Sequence, residues 1–274
     1  MWNIDVVTCS MGFHHYPNPE KFFRSLHRVL CPGGRHILRD MASKSKVMMW
    51  FFNHVEIPLI NRVLHKGGIQ LTDDLCSSVG SLTNATKIAN TLQTVKGIRV
   101  DSGTIASYLT YLSESFLFCQ AKRYDVKGKK YFSYPSKYYC SDIGLRNVRL
   151  NLRQQEETHI MENIIYNELV CRGYLVDVGV VDIFETGAEG KRKKVSCEID
   201  FVVNRGAKKY YIQSALTLGD ARKEQTELRP LFSVRDFFRK IIVTKSGMKP
   251  WIDEDGILHL GLYEFLLNPA ALDL

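Results

Sequence analysis

Two apolar segments near the C-terminal end, residues 197–203 and 208–216, constrain the fold more than any other part of this sequence. Each reads as a buried strand, yet the first carries Glu198 and Asp200 among apolar neighbours. Side chains alternate along a strand, so these two carboxylates lie on the same face. A buried carboxylate needs a partner or a metal ion, and carboxylate-held divalent ions are the usual device for cleaving phosphodiesters. A simpler interpretation stays open, in which one acid faces solvent at a strand end.

The segments around these strands predict a mixed α/β domain over residues 148–274. Apolar spacing indicates an amphipathic helix over 161–171 and a strand over 175–181. A charged helix over 220–229, a strand over 240–244 and a closing helix over 263–267 follow. We therefore expect a sheet flanked by helices, with the acidic strand inside it.

Composition narrows the class of protein. The chain has 274 residues, of which 45% are hydrophobic and 24% charged, and this excludes wholesale disorder. No apolar run reaches the about 18 residues that a membrane helix needs, and no secretory signal is visible. We expect a cytoplasmic protein without a membrane partner. The seven cysteines form no CxxC pair, which predicts reduced thiols and neither a zinc cluster nor a disulfide framework.

The positive charge is concentrated in one stretch of the chain. Residues 120–155 hold nine basic and two acidic residues, against a net charge of +8 for the whole protein. Such a stretch is a candidate phosphate-binding surface, although a solvated basic face would have the same composition.

Residues 1–70 predict a strand over 4–9, a helix over 20–30, a turn over 31–34 and a second strand over 35–40, which is half of a doubly wound sheet. The segment resembles the later part of class I S-adenosylmethionine-dependent methyltransferases through Asp5-Val6-Val7, His14-His15-Tyr16, Arg28-Val29-Leu30-Cys31-Pro32-Gly33-Gly34 and Leu38-Arg39-Asp40. The glycine-rich turn on which cofactor binding depends in that family is absent. We interpret the segment as a methyltransferase remnant, in which His14 and His15 are ordinary loop residues.

Residues 75–147 predict two short helices, over 85–92 and 104–115, followed by strands over 116–121 and 129–134. This order resembles a winged helix-turn-helix. The exposed positions of the second helix include no Arg, so phosphate contacts by the wing are favoured over base reading. The predicted nucleic-acid-binding residues are the basic residues of the hairpin and its surroundings: Lys122, Arg123, Lys127, Lys129, Lys130 and Lys137. Use of the winged helix for domain packing alone remains an alternative.

Residues 81–267 resemble the C-terminal part of archaeal and bacterial AAA-type ATPases, in which a winged helix precedes a domain similar to the PD-(D/E)XK nuclease fold. The matching motifs are Thr104-Ile105, Tyr108-Leu109, Arg123-Tyr124-Asp125, Lys127-Gly128-Lys129-Lys130, Lys137-Tyr138-Tyr139, Asp142-Ile143-Gly144-Leu145-Arg146, Glu162-Asn163-Ile164-Ile165-Tyr166-Asn167-Glu168-Leu169, Arg172-Gly173-Tyr174, Glu198-Ile199-Asp200-Phe201 and Tyr211-Ile212-Gln213. The resemblance implies a methyltransferase-like fragment, a winged helix and a nuclease-like α/β domain in one chain.

The same resemblance implies a nuclease site with one position altered. Asp200 and Gln213 match the acidic and Glu-or-Gln positions, but the lysine two residues on is replaced by Ala215. Glu168 supplies the helix carboxylate and, with Asp200, the metal ligands, while Glu162 and Glu198 are alternatives. Lys208 and Lys209 are candidate substitutes for the missing lysine. No cofactor is expected except a possible Mg²⁺. The absence of G-x-x-x-x-G-K-[ST] predicts no phosphate cradle and no nucleotide site, so we expect no nucleotide partner.

Four hypotheses follow from the sequence. The first is a DNA-binding C-terminal module of an AAA-ATPase-like protein with an inactive nuclease-like domain. The second is a metal-dependent DNA nuclease that uses Glu168, Asp200 and Gln213. The third is a methyltransferase fragment, and the fourth is a protein-interaction module that binds a partner ATPase or itself.

Overall fold

The computed structural model describes residues 4–10, 30–39, 69–153, 156–186, 192–218, 221–247 and 249–274. The predicted helix over 20–30 lies largely outside these residues, as do His14 and His15. The chain divides into two compact units, each built from separate segments. Val79–Asn84, Gln120–Tyr139 and the described residues from 156 onward form the second unit, and the other described residues form the first. The predicted middle domain is therefore divided between the two units.

The N-terminal segment contributes a parallel strand pair to the first unit. Strands β1 (Ile4–Ser10) and β2 (Leu30–Arg39) pair in parallel, with Ile4 opposite Leu30 and Val6 opposite Arg35. The turn predicted at 31–34 is wrong, because these residues lie within β2. A register shift separates the Ile4–Leu30 pair from the Val6–Arg35 pair.

The rest of the first unit is mainly helical. Its helices are α1 (Ile69–Ser77), α2 (Ala85–Lys96), α3 (Ser102–Glu114) and α4 (Ile143–Arg149). Helix α3 begins where the Asp101 carboxylate accepts a hydrogen bond from the Gly103 amide at 2.7 Å. The two predicted helices are confirmed as α2 and α3. Of the apolar side chains that helical spacing places on their inner faces, five are buried, namely Ile88, Leu92, Ile105, Leu109 and Leu112, whereas Ala89 and Tyr108 are half-buried. The sequence pattern does not predict α4.

Strands β3 (Phe118–Ala121) and β6 (Lys137–Cys140) pair with each other in a two-stranded sheet. The predicted hairpin between 116–121 and 129–134 is therefore wrong in its pairing. The hairpin is formed by β4 (Arg123–Asp125) and β5 (Lys130–Tyr131), because the Asp125 carboxylate accepts hydrogen bonds from the Lys127 and Gly128 amides and closes the turn there.

The second unit contains an eight-stranded mixed sheet in the order β11-β12-β10-β9-β8-β7-β4-β5. Strands β7 (Leu175–Thr186), β8 (Arg192–Arg205) and β9 (Lys208–Ala215) are antiparallel in succession. Strand β10 (Arg239–Thr244) is parallel to β9 and to β12 (Leu258–Gly261), and β11 (Trp251–Ile252) closes that edge. At the other edge, β4 pairs with β7 in parallel. The mixed α/β class is confirmed.

Helices lie against both faces of this sheet. Helix α5 (Glu157–Cys171) precedes β7, α6 (Ala221–Phe232) connects β9 to β10, and α7 (Leu262–Leu267) follows β12, with a short 3₁₀ helix (Ala271–Asp273) at the end. Val202 shares a core with Leu228 and Leu231 of α6, whereas the preceding Phe201 contacts Tyr166 of α5. Adjacent strand residues point to opposite faces, so α5 and α6 cover opposite sides of β8.

A β-bulge interrupts β8 at Asp200 and Phe201. Asp177 pairs with Val202 and Gly179 with Ile199, so two steps along β7 match three steps along β8. Gly179 suits this point because a Cβ there would lie 2.7 Å from Val202 and 2.9 Å from Ile199. Bulges commonly redirect a side chain beside a functional site. Within the described residues, no helix is both long enough and apolar enough to span a membrane.

Candidate carboxylate–lysine site

Three carboxylates of the second unit surround one lysine. The Lys137 ammonium lies 2.8 Å from Glu162, 2.7 Å from Glu198 and 3.5 Å from Asp200. Lys137, Glu162 and Asp200 are 4%, 7% and 8% exposed. These four residues are called the carboxylate–lysine cluster below. One ammonium facing three carboxylates makes this a strongly electrostatic site inside the fold.

The four side chains of the cluster come from three elements of the unit. Lys137 begins β6, Glu162 lies on the second turn of α5, and Glu198 and Asp200 lie on β8. The two acids of β8 are two residues apart and share a face, as the sequence predicts. Asp200 itself is one of the two bulge residues of β8.

Three aromatic side chains, Tyr139, Tyr166 and Phe201, pack together next to the buried Glu162. The Tyr139 hydroxyl donates a hydrogen bond to the same Glu162 oxygen that accepts from Lys137, at 2.7 Å. The Tyr139 ring stacks on Tyr166 with centroids 4.1 Å apart, and Phe201 lies 6.0 Å from Tyr139. One oxygen of the Glu162 carboxylate therefore accepts hydrogen bonds from both Lys137 and Tyr139, and Tyr139 belongs to a group of packed aromatic rings.

Strand β9 holds Asp200 in place. The Asp200 carboxylate accepts a hydrogen bond from the Ser214 backbone amide at 2.9 Å. The Gln213 side chain accepts from the Asp200 amide at 3.3 Å and donates to Glu227 of α6 at 3.3 Å. Gln213 thus supports the Asp200 backbone and links the strand pair to α6, rather than touching Lys137.

Burial controls protonation in the cluster. Burial and the nearby Asp200 carboxylate raise the pKa of Glu162 from 4.5 to about 7, against the opposing effects of Lys137 and Tyr139. Burial acts to lower the pKa of Lys137, but Asp200, Glu162 and Glu198 outweigh it and hold that pKa above its ordinary value. Burial and Glu162 raise the pKa of Tyr139 well above its ordinary value. Lys137 therefore stays charged and Glu162 changes charge near neutral pH.

Gly80 closes the cluster from one side. Its φ is +75°, and a Cβ there would lie 3.2 Å from both carboxylate oxygens of Glu162. The Gly80 amide donates to the Tyr138 carbonyl at 3.1 Å, which fixes this contact. The position therefore favours glycine twice, once for its backbone conformation and once for its missing side chain.

We expect Gly80→Ala to lower the free energy of unfolding by about 2 kcal/mol or more, since the left-handed conformation alone costs about 1–2 kcal/mol. The matched control is Gly256→Ala, because Gly256 has a φ of +77° with no atom near its added Cβ. Urea unfolding of both variants separates the cost of the left-handed backbone conformation from the cost of the added contact with Glu162. A loss in Gly80→Ala no larger than in the control would contradict a close Glu162 contact.

Two predicted site residues, Glu168 and Lys137, lie in places other than those predicted. Glu168 does not join the cluster and pairs with Arg172 at 2.8 Å. It lies six residues beyond Glu162, which is about 120° round the helix axis. Lys137, predicted among the DNA-contacting lysines, is buried and bonded to carboxylates, so it has no free ammonium to offer a phosphate. The alternatives Glu162 and Glu198 occupy the positions nearest Lys137.

The substitutes considered for the lysine missing at Ala215 lie elsewhere. Lys208 pairs with Asp273 at 2.5 Å, and the Lys209 ammonium lies 5.1–5.3 Å from the rings of Tyr124, Tyr211 and Phe238. Among the described residues, Lys137 is the lysine whose ammonium reaches Asp200, at 3.5 Å. Sequence reasoning missed this role, although its Lys-Tyr-Tyr motif, rich in strand-forming aromatics, was a signal for the unpredicted strand β6.

The described residues include no group of three or more His, Cys, Asp or Glu side chains arranged to hold a metal ion. Carboxylates are suitable ligands for Mg²⁺. Here, however, the three carboxylates converge on the Lys137 ammonium, and a cation held by all of them would have to replace that group. The present arrangement therefore does not fit the predicted metal site.

The other predicted basic residues form an exposed surface, which we call the basic hairpin: Lys122, Arg123, Lys127, Lys129 and Lys130. All four lysines are exposed, and Arg123 is half-buried against Phe132. The Lys127 ammonium donates to the Asp182 carbonyl at 2.9 Å, and Lys194 pairs with the Asp182 carboxylate at 2.7 Å. Lys194 at the start of β8 thus extends the same basic surface.

Comparison with known families identifies two segments of the chain. Residues 3–38 match a methyltransferase domain, so the N-terminal segment is methyltransferase-like, as its residues predicted. Residues 69–156 match a family described as a domain of unknown function (DUF8612). That match covers the helices of the first unit and the strands β3 to β6, including Lys137.

One curated relative and one solved structure also match. An uncharacterized protein of Haemophilus influenzae is 31% identical over 239 residues, which are 85% of this chain and 54% of that protein. The chain thus spans about half the length of that relative. The crystal structure of protein VC1899 from Vibrio cholerae matches at 12% identity with a TM-score of 0.28, covering 85% of this chain and 57% of that chain.

Proposed function

We propose that this chain is a DNA-binding module whose nuclease-like site is held closed by Lys137. The observation that carries the proposal is the ammonium of Lys137 within 3.5 Å of Glu162, Glu198 and Asp200. Asp200, at the acidic position of the nuclease pattern, lies there. Gln213, at the glutamine position, accepts a hydrogen bond from the Asp200 amide and donates one to Glu227 of α6. The lysine absent at position 215 is supplied from β6, and it sits among the carboxylates.

The second unit gives further support for a nuclease-like fold. Its elements run helix, three antiparallel strands, helix and a parallel strand, from α5 to β10. This order brings a helix carboxylate, an acidic strand and the glutamine strand to one place. For the first unit, we propose that α2 and α3 belong to a winged helix. For the whole chain, we propose that it is the C-terminal module of an AAA-ATPase-like protein.

DNA binding is assigned to the basic hairpin because its lysines are exposed and close together. Phosphate contacts by Lys and Arg release counterions, so affinity falls steeply as salt rises. Residues that contact phosphates position a protein on the duplex without reading sequence. The hairpin and Lys194 offer such contacts, whereas the exposed side of α3 carries Ser107, Thr110 and Tyr111.

We expect a variant with Lys127, Lys129 and Lys130 all changed to Ala to bind duplex DNA at least tenfold more weakly. Its plot of log affinity against log salt should be less steep by about 3, near one for each phosphate contact. Fluorescence anisotropy of labelled duplex DNA over a salt series measures both quantities.

The matched control removes the same charge elsewhere, with Arg99, Arg153 and Lys208 changed to Ala. These side chains are exposed and lie outside the basic hairpin. An equal loss in the control and the hairpin variant would mean that only net charge matters. Absence of binding by the wild-type chain at low salt would favour the protein-interaction hypothesis.

The second candidate function is a metal-dependent DNA nuclease. It is favoured by the presence of a lysine, two strand acids and a helix acid in one cluster. It requires Lys137 to leave the carboxylates before a divalent ion binds. Incubation of the DNA with Mg²⁺ or Mn²⁺ tests it, and cleavage by wild type but not by Asp200→Asn would replace the first proposal.

A further inference from the structure

A cavity of about 630 Å³ opens at one edge of the large sheet, apart from the residues of the carboxylate–lysine cluster. Its lining includes residues at the carboxyl ends of the parallel strands β9, β10 and β12, namely Leu216, Thr244 and Gly261. Ligands of open α/β sheets bind beyond the carboxyl ends of parallel strands. The volume lies within the usual range for small-molecule sites, about 300–1,000 Å³.

One part of the cavity wall is cationic and rich in hydroxyls. Lys245 and Lys249 follow β10, and Thr217, Thr244 and Ser246 supply hydroxyl groups. The Thr244 and Ser246 hydroxyls are 2.7 Å apart, and the Lys245 amide donates to the Leu216 carbonyl at 3.3 Å. Ammonium and hydroxyl donors gathered in this way suit a phosphate group.

The acidic neighbour of this wall is Glu157 at the start of α5. It holds the Lys245 ammonium at 2.8 and 2.9 Å, and both side chains are more than half exposed. An ion pair between exposed groups is weak, so a phosphate can replace Glu157 on Lys245. Lys249 is exposed and has no ion pair or hydrogen bond with any described residue.

Another part of the wall is a prepared aromatic surface. The Trp251 indole stacks on the His259 ring with centroids 4.2 Å apart and an interplanar angle of 17°. The Asp253 carboxylate binds the His259 ring at 2.8 Å and accepts from the Ile257 amide, which fixes the stack. His259 is buried while Trp251 is 44% exposed, so one indole face is covered and the ring keeps surface for a ligand.

We propose that this cavity binds a nucleotide, with its base stacked on Trp251 and its phosphate held by Lys245 and Lys249. A flat ring joined to a phosphate matches the two halves of the wall, and base–aromatic stacking is an established source of affinity. The missing ATPase motif excludes only a glycine-rich phosphate loop, and this site is of a different kind. The proposal stands independently of DNA binding by the basic hairpin.

Calorimetric titration of the full chain with 2′-deoxyadenosine 5′-monophosphate tests the site. We expect Trp251→Ala to weaken binding about tenfold or more and Trp251→Phe to keep most of it, since Phe retains a stacking face. We also expect wild type to bind the monophosphate more tightly than deoxyadenosine. Lys245→Ala with Lys249→Ala should remove that preference.

Two sources of such a nucleotide are separated by competition. A short oligonucleotide with a 5′-phosphate that displaces the monophosphate, while its unphosphorylated form does not, indicates a strand end. No displacement by either indicates a free nucleotide. The variant with Lys127, Lys129 and Lys130 changed to Ala should bind the monophosphate normally. The proposal is overturned by no binding at millimolar concentration, by unchanged affinity in Trp251→Ala, or by inorganic phosphate binding as tightly as the nucleotide.

Discussion

Lys137→Met should lower the free energy of unfolding by about 3–5 kcal/mol at pH 8, because the substitution leaves three buried or half-buried carboxylates without their cation. Met approximates the shape of the lysine stem, so lost packing contributes little. The three acids left behind are Glu162, Glu198 and Asp200, which now bind one ammonium. Urea unfolding followed by circular dichroism measures the difference.

A second substitution tests the cause of that loss. The double variant with Lys137→Met and Glu162→Gln removes one carboxylate, so it should recover part of the lost stability. Lys240→Met is a matched control, since its ammonium donates to the Val234 carbonyl and not to a carboxylate. A loss below about 1 kcal/mol in Lys137→Met, typical of an exposed pair, would refute a buried cluster.

The free energy of unfolding of the wild-type protein should fall as pH rises from about 4.5 to 7, because Glu162 loses its proton over this interval. Its pKa is raised from 4.5 to about 7 in the folded protein, so the native state binds more protons than the unfolded chain in this interval. That contribution is fully present below pH 4.5 and is lost as pH passes 7. Its size is about 3 kcal/mol, at about 1.4 kcal/mol for each pH unit.

Glu162→Gln should flatten this part of the stability curve, because the amide does not titrate. Glu168→Gln is the control on the same helix, where the carboxylate pairs with Arg172 outside the cluster. Chemical unfolding at half-unit intervals between pH 4.5 and 8 gives the two curves. Equal slopes in wild type and Glu162→Gln would show that Glu162 titrates as an ordinary surface acid.

The sequence predicted the acidic part of the site better than its basic part. Apolar alternation identified β8 and β9, so the shared face of Glu198 and Asp200 followed from strand geometry alone. The choice between Glu162 and Glu168 depended on which side of α5 faces the sheet. Both lie on an amphipathic helix, and only packing shows that Glu162 is buried and Glu168 is not.

Lys137 was predicted to contact nucleic acid because it follows the basic residues of the hairpin in the sequence. Its role depends on contacts with residues 25 and 63 positions away, Glu162 and Asp200, which no local pattern reveals. The same limit applies to β4, whose three residues are too few for a periodic signal. The cavity beside Trp251 likewise depends on three strands that the sequence places far apart.

The division of the chain has a consequence for how such a protein can be rearranged by recombination. The segment with Lys137 enters the second unit before α4, and the segment with Glu162, Glu198 and Asp200 enters after it. A recombination breakpoint between residues 140 and 155 would therefore transfer Glu162, Glu198 and Asp200 without Lys137. A breakpoint before Val79 keeps both segments of the second unit together. The methyltransferase match ends at residue 38, which lies before Val79.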